Sequence, residues 1–234
     1  MVVIALEHNI LATVQRDGFV VQRIHLPDLS TVEVARRLGT IVDIETILPT
    51  SGIPTVQSLR PREISEVGKN QYSGNYGVDL FPLHTDLAHW ILPPHYLLLR
   101  CLVGTEDVFT NLLSCADVVG VVGAAVLQKA VLRARKRRYG SSGLVRAMSS
   151  HCDKQIFRWD PIFLEPLNRH ALALKRAMSD SAWKEAMIRI QLQEPGDILL
   201  IDNWRILHGR SQVPARGITR HIERVYLSEV FSDC

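Results

Sequence analysis

Residues 196–210, GDILLIDNWRILHGR, carry the pattern that decides the fold class. Ile198-Leu-Leu-Ile201 and Arg205-Ile-Leu-His208 are short apolar runs separated by Asp202-Asn203, a pair that favours turns by bonding to nearby backbone. The spacing predicts two strands joined by a turn, and residues 222–231 supply a third. Working outward, Tyr96-Leu-Leu-Leu-Arg-Cys-Leu-Val103 reads as a core strand behind the rigid Pro93-Pro94 pair. Residues 18–24 (GFVVQRI) read as another, rich in β-branched side chains. Strands at both ends with helices between them predict a mainly β (α+β) domain, not an alternating doubly wound sheet.

The helices announce themselves by their caps. Ser30-Thr-Val-Glu33 is a capping box, opening a helix that continues through Leu38 and that Gly39 can end. Ser114 can cap a helix from about Cys115 to Lys136, with a very basic end (Arg133, Arg135, Lys136, Arg137, Arg138). Cations there suit the helix dipole, and a solvated face is the simplest reading; an anion-attracting lid or partner surface is the alternative. Residues 166–190 read as one or two helices with Ser179 or Asp180 as the inner cap. The expectation is therefore one domain over 1–234 with a helical insert at about 115–190. Residues 49–75 are turn-rich and read as loops crossing one face of the core. Gly140-Ser-Ser-Gly143 reads as a loop and lacks the nucleophile-elbow pattern.

Composition sets the outer bounds. With 234 residues, 47% hydrophobic and 22% charged, the chain can bury a substantial core. That excludes a disordered tail, a collagen-like repeat and a disulfide-stapled miniprotein. A net charge of +3 argues against a dedicated nucleic-acid binder. Four scattered cysteines with no CxxC pair fit free thiols in a reducing cytosol. The N-terminus lacks a basic start before its apolar stretch, and the longest apolar run, residues 118–127, is half of the roughly twenty residues a membrane span needs. The expectation is a soluble, cytoplasmic protein without nucleic-acid or membrane partners, acting on a small molecule. Oligomeric state is open.

Nine histidines concentrate the chemistry. An Fe(II) site for oxygen chemistry needs two neutral imidazoles and a carboxylate on one face. His-x-Asp along an extended segment puts both side chains on one side. His84-Thr-Asp86 fits, and so does His151-Cys-Asp153; with 9 His among 234 residues, chance alone yields about half a match. Context favours the first, which ends a strand, whereas the second follows a Ser-rich loop. His208, at the end of an apolar strand and before a glycine that leaves room for a ligand, is the expected third ligand. If residues 220–227 form a strand, Arg220 and Arg224 share a face and can clamp a dicarboxylate. The alternative for them is a surface salt-bridge ladder. Tyr72 and Asn75 before the metal motif, and His89 and Trp90 after it, offer polar and aromatic groups for a substrate, or else turn chemistry and packing.

FPLHTDLAHWILPPHYLLLRCL, TNLLS, GDILLIDNWRILHGR and RHIERVYL together resemble the taurine dioxygenase and clavaminate synthase-like superfamily. The resemblance implies a double-stranded β-helix (jelly-roll) core with flanking and inserted helices, and an oxygenase using Fe(II), 2-oxoglutarate and O2. By position it assigns His84, Asp86 and His208 to iron and no further catalytic side chain. Arg220 would take the far carboxylate of 2-oxoglutarate, and Arg224 would sit near the cosubstrate or an anionic group of the substrate. The family's cosubstrate threonine has no clean counterpart in Gly104-Thr-Glu-Asp-Val-Phe-Thr110: Asp107 falls at its position, and Thr110 is the nearest hydroxyl downstream. A carboxylate at Asp86 favours hydroxylation or desaturation over halogenation. The implied substrate is a small polar metabolite, an amino acid or a derivative of one, with a small sulfonate or carboxylate as the competitor. Two other classes stay in play: a non-catalytic metal-binding jelly roll, and a metal-dependent oxygenase that needs no 2-oxoglutarate.

Overall fold

The computed structural model describes residues 10–23, 26, 28–135, 143–179 and 183–232. Six strands precede the insert: β1 (Phe19–Arg23), β2 (Gly39–Ile41), β3 (Gln57–Leu59), β4 (Phe81–His84), β5 (Tyr96–Val103) and β6 (Phe109–Ser114). Five more lie within it: β7 (Val131–Ala134), β8 (Leu144–Arg146), β9 (Met148–His151), β10 (Lys154–Phe157) and β11 (Leu164–Pro166). The chain then closes with β12 (Ile188–Gln191), β13 (Asp197–Asp202), β14 (Ile206–Arg210) and β15 (His221–Val230).

The larger sheet runs β1-β13-β5-β15-β2, with β3 also pairing to β15, and the smaller runs β12-β6-β14-β4. Every pairing in both is antiparallel. Leu97, Leu99 and Cys101 of β5, Leu199 and Ile201 of β13, and Ile222 and Tyr226 of β15 point inward against Leu112 and Ile206 of the smaller sheet. The alternate residues Leu98, Leu200, Val225 and Leu227 face outward, where the helices Ile10–Asp17 and Thr31–Leu38 cover them. Burial on both faces is why β5 and β13 read as continuous apolar runs. Each fully buried leucine in them contributes about 2 kcal/mol. Two antiparallel sheets closed over a shared core form the expected double-stranded β-helix.

The capping box at Ser30 is formed, with the Ser30 hydroxyl accepting from the Glu33 backbone and the Glu33 carboxylate accepting from Ser30 N at 2.8 Å. The insert departs from expectation. The long helix is two short ones, Cys115–Val122 and Ala124–Lys129, broken where Gly123 adopts φ +89°, a conformation that glycine adopts without steric cost. Its expected basic end is instead β7, where Arg133 pairs with Glu165 of β11 at 2.8 Å and Arg135 lies 3.5 Å from the same carboxylate. The remaining cations of that run, Lys136, Arg137 and Arg138, lie outside the described residues, as do residues 1–9 and most of the Gly140–Gly143 loop. Asn168, not an inner residue, caps the next helix, Arg169–Met178; Ser179 ends it, and Asp180 lies outside the described residues. A further turn of helix, Trp183–Ala186, precedes β12, so residues 188–190 are strand. The insert packs on the outer side of the smaller sheet, with Leu113 and Leu207 meeting Leu127, Leu132, Trp159 and Leu174. Among the described residues no helix is long and apolar enough to cross a membrane.

Candidate metal centre

β4 and β14 are neighbours, and their register places His208 directly opposite His84, with ring centroids 4.5 Å apart. Asp86, two residues beyond His84, turns its Oδ1 to the same side: it lies 3.4 Å from His84 Nε2 and 3.5 Å from His208 Nε2. One ligand atom from each residue falls within 4.8 Å of the others, and all three residues are buried. Gly209 does not make room for a ligand, as expected from the sequence, but for the neighbouring chain. A Cβ there would sit 2.6 Å from the Phe81 carbonyl of β4, where the pairing carries a register shift.

The cluster is held from behind by groups whose partners are distant in sequence. Asn203 Oδ1 accepts from Asp86 N at 2.8 Å, while its Nδ2 donates to the Asp86 carbonyl at 3.0 Å and the Pro94 carbonyl at 2.9 Å. The β13–β14 turn thus clamps the metal motif's backbone. His84 Nδ1 lies 2.9 Å from the Pro82 carbonyl, which places the proton on Nδ1 and leaves the Nε2 lone pair for a metal. Asp86 Oδ2 accepts from Arg224 Nη1 at 2.8 Å and from the Tyr226 hydroxyl at 3.0 Å, so one oxygen is fixed and the other faces the imidazoles. Arg158, buried, donates to the carbonyls of Ala88, Trp90 and Ile91 at 3.1, 2.8 and 3.0 Å and secures the segment that follows.

Burial opposes ionisation of Asp86, but Arg224 and the two histidines outweigh it and hold the carboxyl well below its usual range. Burial pushes His208 down, favouring the neutral imidazole that metal ligation requires. The donor set of two imidazoles and one carboxylate is the one that suits Fe(II). Arg220 is the complementary feature. It is 7% exposed, its Nε has no hydrogen-bond partner, and among the described residues it makes no ion pair. Burial alone brings it down to about 10. A buried guanidinium left without an anion fits the far carboxylate of 2-oxoglutarate.

The other sequence-derived candidates divide. Thr110 is buried on β6, opposite Arg210 and on the same face as Leu112, which opposes His208; the interior it faces also contains Cys101, the electrostatic neighbour of Arg220. Asp107, at the family's threonine position, is taken by a surface ion pair with Arg216. Arg224 is inside the site, but its charge is matched by Asp86 and it also donates to Gln57 Oε1 at 2.5 Å. Tyr72 stacks on His84 with centroids 4.0 Å apart. Asn75 is not brought to the cluster: it is exposed and its amide binds the Lys69 and Gln71 carbonyls at 2.9 and 2.8 Å, stapling its own loop. Trp90 is 8% exposed and packs its ring in the core between the sheets, with Leu97 and Tyr226. Sequence reasoning overlooked Asp160, a buried carboxylate whose charge is felt at both His84 and Tyr72. It also found Asn203 only as a turn residue. Asp160 precedes a proline in an insert strand's exit, which reads locally as a turn and nothing more.

Residues 134–226 match the model of the "Taurine catabolism dioxygenase TauD, TfdA family". The whole fold resembles an asparagine oxygenase solved with Fe(II), 3-hydroxyasparagine and succinate: TM-score 0.67, 19% identity, covering 93% of this chain and 77% of that one. The chain is thus similar to this family over the matched residues, and its fold resembles that of the iron oxygenase. The non-heme iron oxygenase OrfP, solved with Fe, succinate and (3S)-hydroxy-L-Arg, is similar over 94% of this chain and 79% of its own, at TM-score 0.62 and 19% identity. Human gamma-butyrobetaine dioxygenase is 38% identical over 71 residues, 29% of this chain. That match spans only 18% of the human protein's length.

Proposed function

We propose that this chain is a member of the TauD and clavaminate synthase-like superfamily and an Fe(II)- and 2-oxoglutarate-dependent oxygenase that hydroxylates, or desaturates, a small polar metabolite, an amino acid or an intermediate derived from one. The observation that carries the reading is the coincidence of the His84–Asp86–His208 cluster with the unpaired buried guanidinium of Arg220. His84, Asp86 and His208 would hold the iron, and Arg220, with Thr110 nearby, would receive 2-oxoglutarate. The chemistry supplied by bound iron is activation of dioxygen: one oxygen atom goes to the substrate C–H bond, and the other to succinate as CO2 is lost.

The chain's own contribution is position and charge. Arg224 and Tyr226 hold Asp86 in a single orientation, and Asn203 fixes its backbone, so the carboxylate stays aimed at the two imidazoles. Because Arg224 is already matched by Asp86, it is poorly placed to receive an anionic substrate group, whether a sulfonate or a carboxylate. The asparagine and arginine derivatives bound by the similar structures support an amino acid as the substrate class.

The test follows succinate. Anaerobic titration of 2-oxoglutarate into the Fe(II)-loaded protein should give saturable binding that Arg220→Ala weakens at least about tenfold while Fe(II) affinity is retained. With oxygen and an amino-acid panel, succinate should form in step with an oxidised product. Iron binding without succinate from any substrate would instead establish the non-catalytic metal-binding reading.

A further inference from the structure

The His84 imidazole is restrained from two directions, and its own strand accounts for only one of them. Nδ1 lies 2.9 Å from the Pro82 carbonyl, a contact local to β4. The second restraint comes from outside the strand. The Tyr72 ring lies over the imidazole with 4.0 Å between centroids and 22° between planes, whereas the His208 ring, 4.5 Å away, is tilted by 52°. A hydrogen bond at one ring nitrogen holds an edge and leaves the ring free to rock about that edge. A nearly parallel ring blocks the rocking.

Tyr72 is held in its turn. The Asn75 amide closes its loop on the Lys69 and Gln71 carbonyls, and Arg210, two residues after His208, donates to the carbonyls of Gly77 and Asp79 at 2.8 and 2.7 Å. Phe81 packs beside the phenol ring at 5.6 Å and Phe163 meets it edge-on at 6.3 Å. The Tyr72 hydroxyl donates to the Asp160 carboxylate. Asp160 is 2% exposed, and its Oδ1 accepts from Ile162 N and Phe163 N, each at 2.8 Å, so the turn after β10 sets its rotamer. That turn is also joined to the metal motif. Thr85 N donates to the Trp159 carbonyl at 2.8 Å, and Trp159 N donates to the Thr85 hydroxyl at 3.2 Å. The backbone between His84 and Asp86 and the ring over His84 are thus anchored to neighbouring residues, Trp159 and Asp160. The turn alone does not call for an acid, because an asparagine oxygen would accept the same two N–H groups. What the carboxylate adds is a strong acceptor for the phenol.

We propose that Tyr72 is a positioning residue for the iron ligand His84, with Asp160 holding Tyr72 in place. The phenol sets the plane of the imidazole, and the Asp160 turn fixes both the phenol and the backbone between the two ligands. The role rests on the metal reading of the His84–Asp86–His208 cluster, and it is exerted through His84, not through the substrate.

The experiment follows the metal, without turnover. Fe(II) and Co(II) affinities are measured by calorimetry under anaerobic conditions, and the Co(II) d–d absorption reports the arrangement of the ligands. Tyr72→Leu removes the ring, and should weaken both metals about tenfold and alter the Co(II) spectrum. Tyr72→Phe keeps the ring and its packing but loses the tether. It and Asp160→Asn should each weaken the metals about threefold, and the double variant should be no weaker than either alone, because both changes break one bond. Unchanged affinity and Co(II) spectrum in Tyr72→Leu, or losses that add in the double variant, would overturn the assignment. Should Tyr72→Leu fail to fold, Tyr72→Phe decides, since a ring that serves packing alone predicts no change in affinity there. Wild-type protein that takes up neither metal would sink the metal reading itself, whereas metal uptake indifferent to Tyr72 would sink only the positioning role.

Discussion

His84-Thr-Asp86 and His151-Cys-Asp153 are the same tripeptide pattern in one chain, and the fold treats them in opposite ways. The first ends β4 at His84, where antiparallel register sets His208 across from His84, and the chain turns only at Asp86, whose Oδ1 faces both imidazoles. The second ends β9, and there the chain reverses. Cys152 and Asp153 both take positive φ, 46° and 62°, as the two central residues of a hairpin turn that pairs His151 with Lys154. That turn sends the carboxylate away from the imidazole, and His151 and Asp153 are both exposed. A metal motif of this kind is therefore a statement about backbone: it works when the turn begins only at the carboxylate residue and fails when the intervening residue is itself in the turn. Context in the sequence favours the first motif for a different reason, a Ser-rich loop before His151, whereas Met148–His151 is a strand and the hairpin turn that follows it is what parts the two.

The largest test of that contrast is removal of the ligands themselves. His84→Ala should abolish high-affinity Fe(II) binding, whereas His151→Ala should leave it unchanged, as read by calorimetry or by retained iron after gel filtration. The reverse result would transfer the site to the hairpin. Chelation should likewise remove all substrate-dependent succinate formation and restoration of Fe(II) should return it. Next in size is Asn203→Ala. It deletes the clamp on Asp86 and leaves the buried Pro94 carbonyl unsatisfied, which costs about 1–3 kcal/mol of stability. The loosened carboxylate should lose about tenfold to a hundredfold in iron affinity. A variant that melts earlier yet binds iron normally would show that Asn203 serves the fold alone.

A pH titration sharpens the same comparison. Proton competition removes a ligand only when the imidazole is charged, and burial lowers His208 below the ordinary 6.5 of histidine. Iron binding should therefore survive through pH 6.5 and be lost only on further acidification. An acid limb centred above 6.5 would contradict a buried, neutral His208.

Much of this was legible locally. The inward and outward alternation of β5 and β13, the capping box at Ser30 and the extended run into His84 are all encoded within ten residues of themselves. What was not legible depends on contacts far apart in the chain. Asn203 and Asp86 are separated by 117 positions, so an amide in an Asp-Asn turn looks like turn chemistry until the sheets close. The basic residues after Lys129 matched a helix terminus by composition, yet Arg133 becomes a strand residue because Glu165 arrives beside it. Gly123 was seen only as part of an apolar run, and its positive φ is what ended the helix. Asp160 was passed over for the same reason: nothing near it in sequence reveals that Tyr72 and His84 are its neighbours.

The smallest expected effect asks whether the hairpin motif is only turn chemistry. Replacing Cys152-Asp153 by Asn-Gly supplies the residues that a two-residue turn with both φ values positive prefers. Cysteine carries a Cβ that disfavours φ 46°, and aspartate tolerates φ 62° less well than glycine. The double variant should raise the melting temperature by a few degrees, corresponding to about 0.5–1 kcal/mol, with no change in iron affinity. The matching change at Thr85-Asp86 should do the opposite, removing the carboxylate ligand and stranding Arg224 without its buried partner, a loss of about 3–5 kcal/mol. If the hairpin variant instead lost iron or melted early, Asp153 would have a role that the backbone geometry does not reveal. Equal effects at the two tripeptides would remove the distinction between a turn that begins at the carboxylate and one that includes the residue before it.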